Sequence, residues 1–248
     1  MGIPRHTRST GSLQDLTHAS RDIRRNLLSN RKVVLFVVAM VLFLIVLQNM
    51  LAGDILRLDY YAYRLIVVRM RRAWLTPIMQ SISELALPAV LVVMLLAVQA
   101  FAPGRRPGLC AAGNLVGIVL LNQVFKFLVQ RPRPEGFRLI AESGYSFPSG
   151  HSMVAMGFYG LLAWMAWRYE KDPTVRRLSV AGFALIVALV GISRVYLGVH
   201  YASDVIAGFC LALAWLALYI TVVAPLLLPE AKTDLGADET ALMGKADT

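Results

Sequence analysis

The sequence predicts an all-α, polytopic membrane protein: a six-transmembrane helix bundle with an interfacial helix between spans 1 and 2. Three observations predict it. Of 248 residues, 57% are hydrophobic and 16% charged, whereas soluble domains are about half apolar and about a quarter charged. The apolar residues gather in runs close to the roughly 20 residues that a bilayer crossing needs. The basic residues behind the +10 net charge fall mostly between those runs. The same composition excludes a disordered chain, a fibre and a disulfide scaffold. The two cysteines, Cys110 and Cys210, both lie inside apolar runs and read as buried small hydrophobes.

The spans are expected at 33–52, 85–102, 108–129, 152–167, 178–193 and 205–228. The first starts too far into the chain, and is too long, for the apolar core of a signal peptide, so it is read as a retained helix. The fourth is short, and its Ser152 and Gly157 imply close helix packing. The connections are short, which leaves one membrane domain at 33–228 between a basic tail, 1–32, and an acidic tail, 229–248, both expected to be cytoplasmic. The acidic tail and the start of the basic one read as solvated and disordered.

Basic residues set the orientation. Arg5, Arg8, Arg21, Arg24, Arg25, Arg31 and Lys32 put the N-terminus in the cytoplasm, and six crossings return the C-terminus there. Cytoplasmic links then carry Arg105, Arg106, Arg168, Lys171, Arg176 and Arg177. In a soluble chain this charge would suggest nucleic acid; here orientation accounts for it, and no nucleic-acid partner is expected. The external connection 53–84 breaks the rule with Arg57, Arg64, Arg69, Arg71 and Arg72. Arg57, Arg64 and Arg71 recur every seven residues, as on a helix lying in the interface with a basic side. That side is either a solvated face among lipid headgroups or a rim that attracts an anionic substrate.

Ionisable groups at span ends carry the functional signal, because they are costly near membrane depth. Lys126 closes the third span, and Arg131-Pro132-Arg133-Pro134 follows. Phe147-Pro148-Ser149-Gly150-His151 opens the fourth, Ser193-Arg194 ends the fifth, and His200 and Asp204 open the sixth. All fall on the predicted external face. Lys126, Arg133 and Arg194 supply cations that match a phosphate, Arg as a planar fork and Lys as a point charge. Ser149 and Gly150 precede a helix whose free amides and dipole favour an anion, and Gly150 has no side chain to block close approach. His200 and Asp204 are four apart, so one helix face can carry both. A carboxylate on one imidazole nitrogen leaves the other as a nucleophile or base. His151 is then available as a general acid. A His and an Asp at this spacing are also half a metal site, but no cysteine or further carboxylate stands at a spacing that completes it, so no metal and no cofactor are expected.

Lys126-x6-Arg133-Pro134, Pro148-Ser149-Gly150-His151 and Ser193-Arg194-x5-His200-x3-Asp204 resemble, in order and spacing, the three signature motifs of the type-2 phosphatidic acid phosphatases. That superfamily also holds vanadium haloperoxidases and bacterial acid phosphatases. The resemblance implies a helical membrane bundle in the cell membrane, with a metal-independent site at its outer face that works through a phosphohistidine. Carried onto this chain, it implies that His200 is the nucleophile, Asp204 its orienting partner and His151 the acid for the leaving group. Lys126, Arg133, Ser149, Gly150 and Arg194 would hold the phosphoryl oxygens. The partners implied are the bilayer and a lipid phosphate or diphosphate, with undecaprenyl diphosphate favoured over phosphatidylglycerophosphate or phosphatidate, and lipid A third; a homo-oligomer stays open. A haloperoxidase is the alternative that shares the pocket, although known members are mostly soluble. A lipid transporter is the non-enzymatic one, and it has no use for a paired His and Asp with a separate acid.

Overall fold

The structure, a computed structural model, describes residues 30–53, 57–102 and 104–228. The acidic tail and nearly all of the basic tail lie outside them. Helix α1 spans Arg31–Leu51, and α2 (Arg57–Ala62) runs into a π-helical stretch, Tyr63–Arg69. Then follow α3 (Leu75–Glu84), α4 (Pro88–Phe101), α5 (Arg106–Val129), α6 (Gly150–Tyr169), α7 (Pro173–Tyr196), α8 (Ala202–Val222) and a final turn, α9 (Ala224–Leu227).

Four of these, α1, α5, α7 and α8, are long and apolar enough to cross a membrane. The pair α3–α4, bent by 54°, makes a fifth when counted as one broken span. The bend has a local cause. Leu87 is extended and Pro88 sits in the first turn of α4, where a missing N–H costs nothing and φ is already helical. Counted so, the expected second span, 85–102, is the second half of a longer, bent one.

α8 lies at the centre, against α1 and α6, and α6 also packs on α5 and α7. In α8, 61% of the most apolar stretch is buried, against 11% in α1. In α1 only Ala39 and Phe43 are buried, while Val37, Val38, Val41 and Leu42 face outward. A helix apolar all round yet bare to its surroundings is a lipid-facing one, and the chain is a multi-pass membrane protein. The interior is knitted by small residues and a few polar groups. A Cβ at Gly117 would lie 2.2 Å from the Trp215 ring, and one at Gly157 3.1 Å from Ile118, so the expected close packing at Gly157 is present. Asn114 donates to the Gly157 carbonyl (2.8 Å) and accepts from the Trp215 indole (3.0 Å). Both cysteines are free and buried.

The connection after α1 departs from the expected interfacial helix. Arg57 and Arg64 lie on one helical run, but the helix ends before Arg71. Arg71 instead donates through Nε to the Tyr196 carbonyl (2.8 Å) at the end of α7. The Tyr196 hydroxyl reaches back to the backbone of Arg72 and to Thr76. The seven-residue row of arginines is thus not one face. Its last member is a strut between α3 and α7.

Candidate active site

Three chain segments converge at the ends of α5, α6, α7 and α8, and each is shaped locally. α5 stops where Gln130 turns left-handed (φ 50°), and Pro132 and Pro134 then keep the chain extended. Ser149 caps α6, its Oγ accepting from the Ser152 amide (3.4 Å) and hydroxyl (3.0 Å). After α7 the chain turns at Gly198, whose φ of 75° and 2.6 Å clearance from its Cβ position to the Phe137 carbonyl suit glycine alone. That turn sets His200 just ahead of α8.

His200 is 3% exposed. Its Nε2 lies 3.1 Å from Arg133 Nη1. Since guanidinium only donates, Nε2 is the acceptor and Nδ1 carries the proton. Nδ1 faces Ser146 Oγ at 3.3 Å and Asp204 Oδ2 at 3.5 Å. Burial pushes the His200 pKa down to about 4, although Asp204 pulls the other way. The imidazole is therefore neutral at ordinary pH, with its lone pair turned toward the cations.

Asp204 is held from all sides. Its Oδ2 accepts from Ser146 Oγ (2.5 Å) and the Tyr201 amide (2.9 Å), and its Oδ1 from Arg131 Nη1 (2.6 Å). Arg131 reaches Asp59 on α2 (3.3 Å) and stacks on Tyr201 (4.1 Å). Asp59 also accepts from the Ser203 amide and hydroxyl, both at 2.8 Å.

The cations are used unevenly. Arg194 is 1% exposed. It donates to Ser83 Oγ on α3 and to Glu142 Oε2, both at 2.6 Å, and its buried Nε has no partner among the described residues. A buried guanidinium N–H left over is an uncompensated donor. Arg133 spends most of its fork on carbonyls of the loop and the turn, those of Gly144, Ser143 and Val199 (2.9–3.0 Å). Glu142 Oε1 lies 3.7 Å from it. Lys126, half-buried in the last turn of α5, sits within electrostatic reach of Arg133, Glu142, Arg194 and Asp204. His151 opens α6 in a cavity of about 390 Å³ that Arg194, Glu142 and Ser83 also line. A second cavity, of about 280 Å³, flanks His200 on the side of α2.

Every residue singled out in the sequence therefore belongs to one cluster. Two also serve the local fold. The Ser149 hydroxyl oxygen accepts both bonds of the helix cap, and its own proton stays available to donate. A side chain at Gly150 would meet Asn122 Oδ1 at 3.1 Å, so helix packing also favours a small residue there. Four site residues escaped the sequence reading: Ser146, Glu142, Arg131 in its actual role, and Asp59. Asp59 had a signal, being the single acidic residue in the arginine-rich stretch 57–72.

Residues 107–226 match the PAP2 superfamily. Over 150 residues the chain is 37% identical to phosphatidylglycerophosphatase B of Bacillus subtilis, covering 59% of this chain and 74% of that protein. An undecaprenyl-diphosphatase of Sulfolobus acidocaldarius is 32% identical over 120 residues, which cover 46% of this chain and 53% of that protein, so this chain spans about half its length. Among solved structures, the transmembrane PAP2-type phosphatidylglycerolphosphate phosphatase from Bacillus subtilis superposes with a TM-score of 0.64 at 30% identity, over 77% of this chain and 94% of that one. The helical membrane layout, the motifs brought into one cluster at the helix ends and these likenesses agree: the chain belongs to the PAP2 superfamily and is a membrane phosphatase of lipid phosphates.

Proposed function

We propose that this protein hydrolyses phosphatidylglycerophosphate or a closely related lipid monophosphate, without metal, through a phosphohistidine on His200. One observation carries the mechanism: a buried, neutral imidazole whose Nδ1 faces Asp204 and whose Nε2 faces an arginine N–H at 3.1 Å. Nε2 attacks phosphorus, the P–O bond to the lipid alcohol breaks, and His151 gives its proton to the departing oxygen. Water then attacks the phosphohistidine and returns a proton to His151. Phosphate leaves and His200 is restored. Asp204 stabilises the imidazolium formed between the two steps. Lys126, Arg133 Nη1, Arg194 Nε and the first amides of α6 offset the phosphoryl charge, the work a metal would otherwise do.

Undecaprenyl diphosphate gives way as the favoured substrate. Among the matches at 30% identity or more, the two that cover about three quarters or more of a relative bear phosphatidylglycerophosphatase names, while the undecaprenyl-diphosphatase match covers about half of its relative. We further propose six crossings, counting α6 and the bent α3–α4 pair, with both termini cytoplasmic and the site at the external face. α6 has 20 residues, a length of about 30 Å. Its polar start faces the site. A substrate could then enter sideways with its tails still in lipid.

The test is phosphate release by the purified protein in detergent with excess EDTA. Phosphatidylglycerophosphate should be turned over faster than phosphatidate, and undecaprenyl diphosphate slowest. Abolition by EDTA with rescue by magnesium, or a preference for the diphosphate, would overturn this reading in mechanism or in substrate respectively.

A further inference from the structure

The cavity of about 390 Å³ between α3 and the loop before α6 is lined by Gln80, Ser83, Glu84, Glu142, His151 and Arg194, and His200 is not among its lining residues. In-line displacement places the leaving oxygen opposite the attacking nitrogen. If His200 attacks, the leaving group departs on the side of His151. This step rests on the roles proposed above, and it puts the departing group in this cavity. Two carboxylates, Glu84 and Glu142, line it beside the Arg194 guanidinium. Glu142 holds Arg194 at 2.6 Å and Arg133 at 3.7 Å by their outer nitrogens. Burial works against its ionisation, but the Arg194 charge and hydrogen bond keep its pKa below the usual carboxylate range. Glu84 is exposed at the end of α3.

We propose that Glu142, assisted by Glu84, determines which leaving group the site accepts: a departing alcohol that carries hydroxyls, and not a departing phosphate. Carboxylates, an amide and a serine hydroxyl can all accept hydrogen bonds from a polyol such as the glycerol of a phosphoglycerol headgroup. A leaving group that is itself a phosphate, as in an isoprenyl diphosphate, meets one or two like charges in a partly dry space. The brace on the two arginines keeps Glu142 on the leaving-group side of the phosphoryl seat and not within it.

The experiment compares kcat/KM for short-chain phosphatidylglycerophosphate and farnesyl diphosphate in the wild type, Glu142→Gln, Glu84→Gln and the double variant. The ratio of diphosphate to monoester turnover should rise about tenfold in Glu142→Gln and about threefold in Glu84→Gln, since glutamine keeps the shape and removes the charge. The ratio cancels any loss of folded enzyme, and Glu84 stands at an exposed position where glutamine is tolerated. An unchanged ratio in both variants, or a fall of both substrates in proportion, overturns the proposal. The wild-type ratio by itself bears on the substrate assignment and not on this one, which is decided by the shift.

Discussion

His200 depends on its neighbours for its protonation state, its tautomer and its direction. With a pKa near 4, it should stay neutral throughout the range from pH 8 to 5. The ring of a group whose pKa is lowered takes up its proton only as pH falls past that value. Imidazole nitrogen shifts in labelled protein should therefore show no His200 titration until below pH 5, and a midpoint between 6 and 7 would contradict the burial argument. Asp204→Asn keeps the shape but loses the charge that stabilises the imidazolium, and it leaves Arg131 and Ser146 with a poorer acceptor. We expect kcat to fall by about two to four orders of magnitude, with a much smaller change in KM. An unchanged kcat would mean that Ser146 alone orients the ring. Both residues were legible in the sequence because four residues separate them. Ser146 was not, because it meets them from 54 and 58 residues away inside a loop without periodicity. Glu142 escaped for the same reason: its partner Arg194 is 52 positions further on.

The short helix α2 matters more than its six residues suggest. Asp59 ties it to Ser203 and Arg131, hence to the back of Asp204. Asp59→Ala strips two bonds from the start of α8 and leaves a largely buried guanidinium with one carboxylate in place of two. Breaking such a pair costs about 3 kcal/mol. The melting temperature in detergent should drop by several degrees, and kcat should fall modestly because Asp204 loses its rear support. Full stability with full activity would make α2 a passive lipid-facing turn. The long helices were legible to within a few residues, since composition alone decides a lipid-exposed helix such as α1. The fate of 53–84 was not. A seven-residue row of arginines fits one helix, but a π-helical stretch changes the residues per turn and ends the run at Arg69, and Arg71 is claimed by a carbonyl on α7 that no local pattern reveals.

For the whole molecule, the proposed six crossings place the 130–149 loop outside and Arg105 inside. Both native cysteines are buried, so introduced thiols can report on sidedness. In intact cells an impermeant thiol reagent should label Glu135→Cys and should reach Arg105→Cys only after permeabilisation. Labelling in the opposite pattern would invert the orientation drawn from the basic residues, and equal labelling of both would contradict the crossing count. The bundle itself serves the chemistry simply. A central α8, clasped by α1 and α6, holds Asp204 rigid at its first turn, while the broken α3–α4 pair supplies one wall of the leaving-group cavity.

The central claim is a covalent bond between phosphorus and His200. It is tested most directly by acid-free quenching of the enzyme during turnover of phosphatidylglycerophosphate in EDTA, followed by mass spectrometry of its peptides. The account predicts one phosphoryl group on His200, absent from His200→Ala. A phosphoryl group on His151, or turnover by His200→Ala above about a thousandth of the wild-type rate, would contradict it.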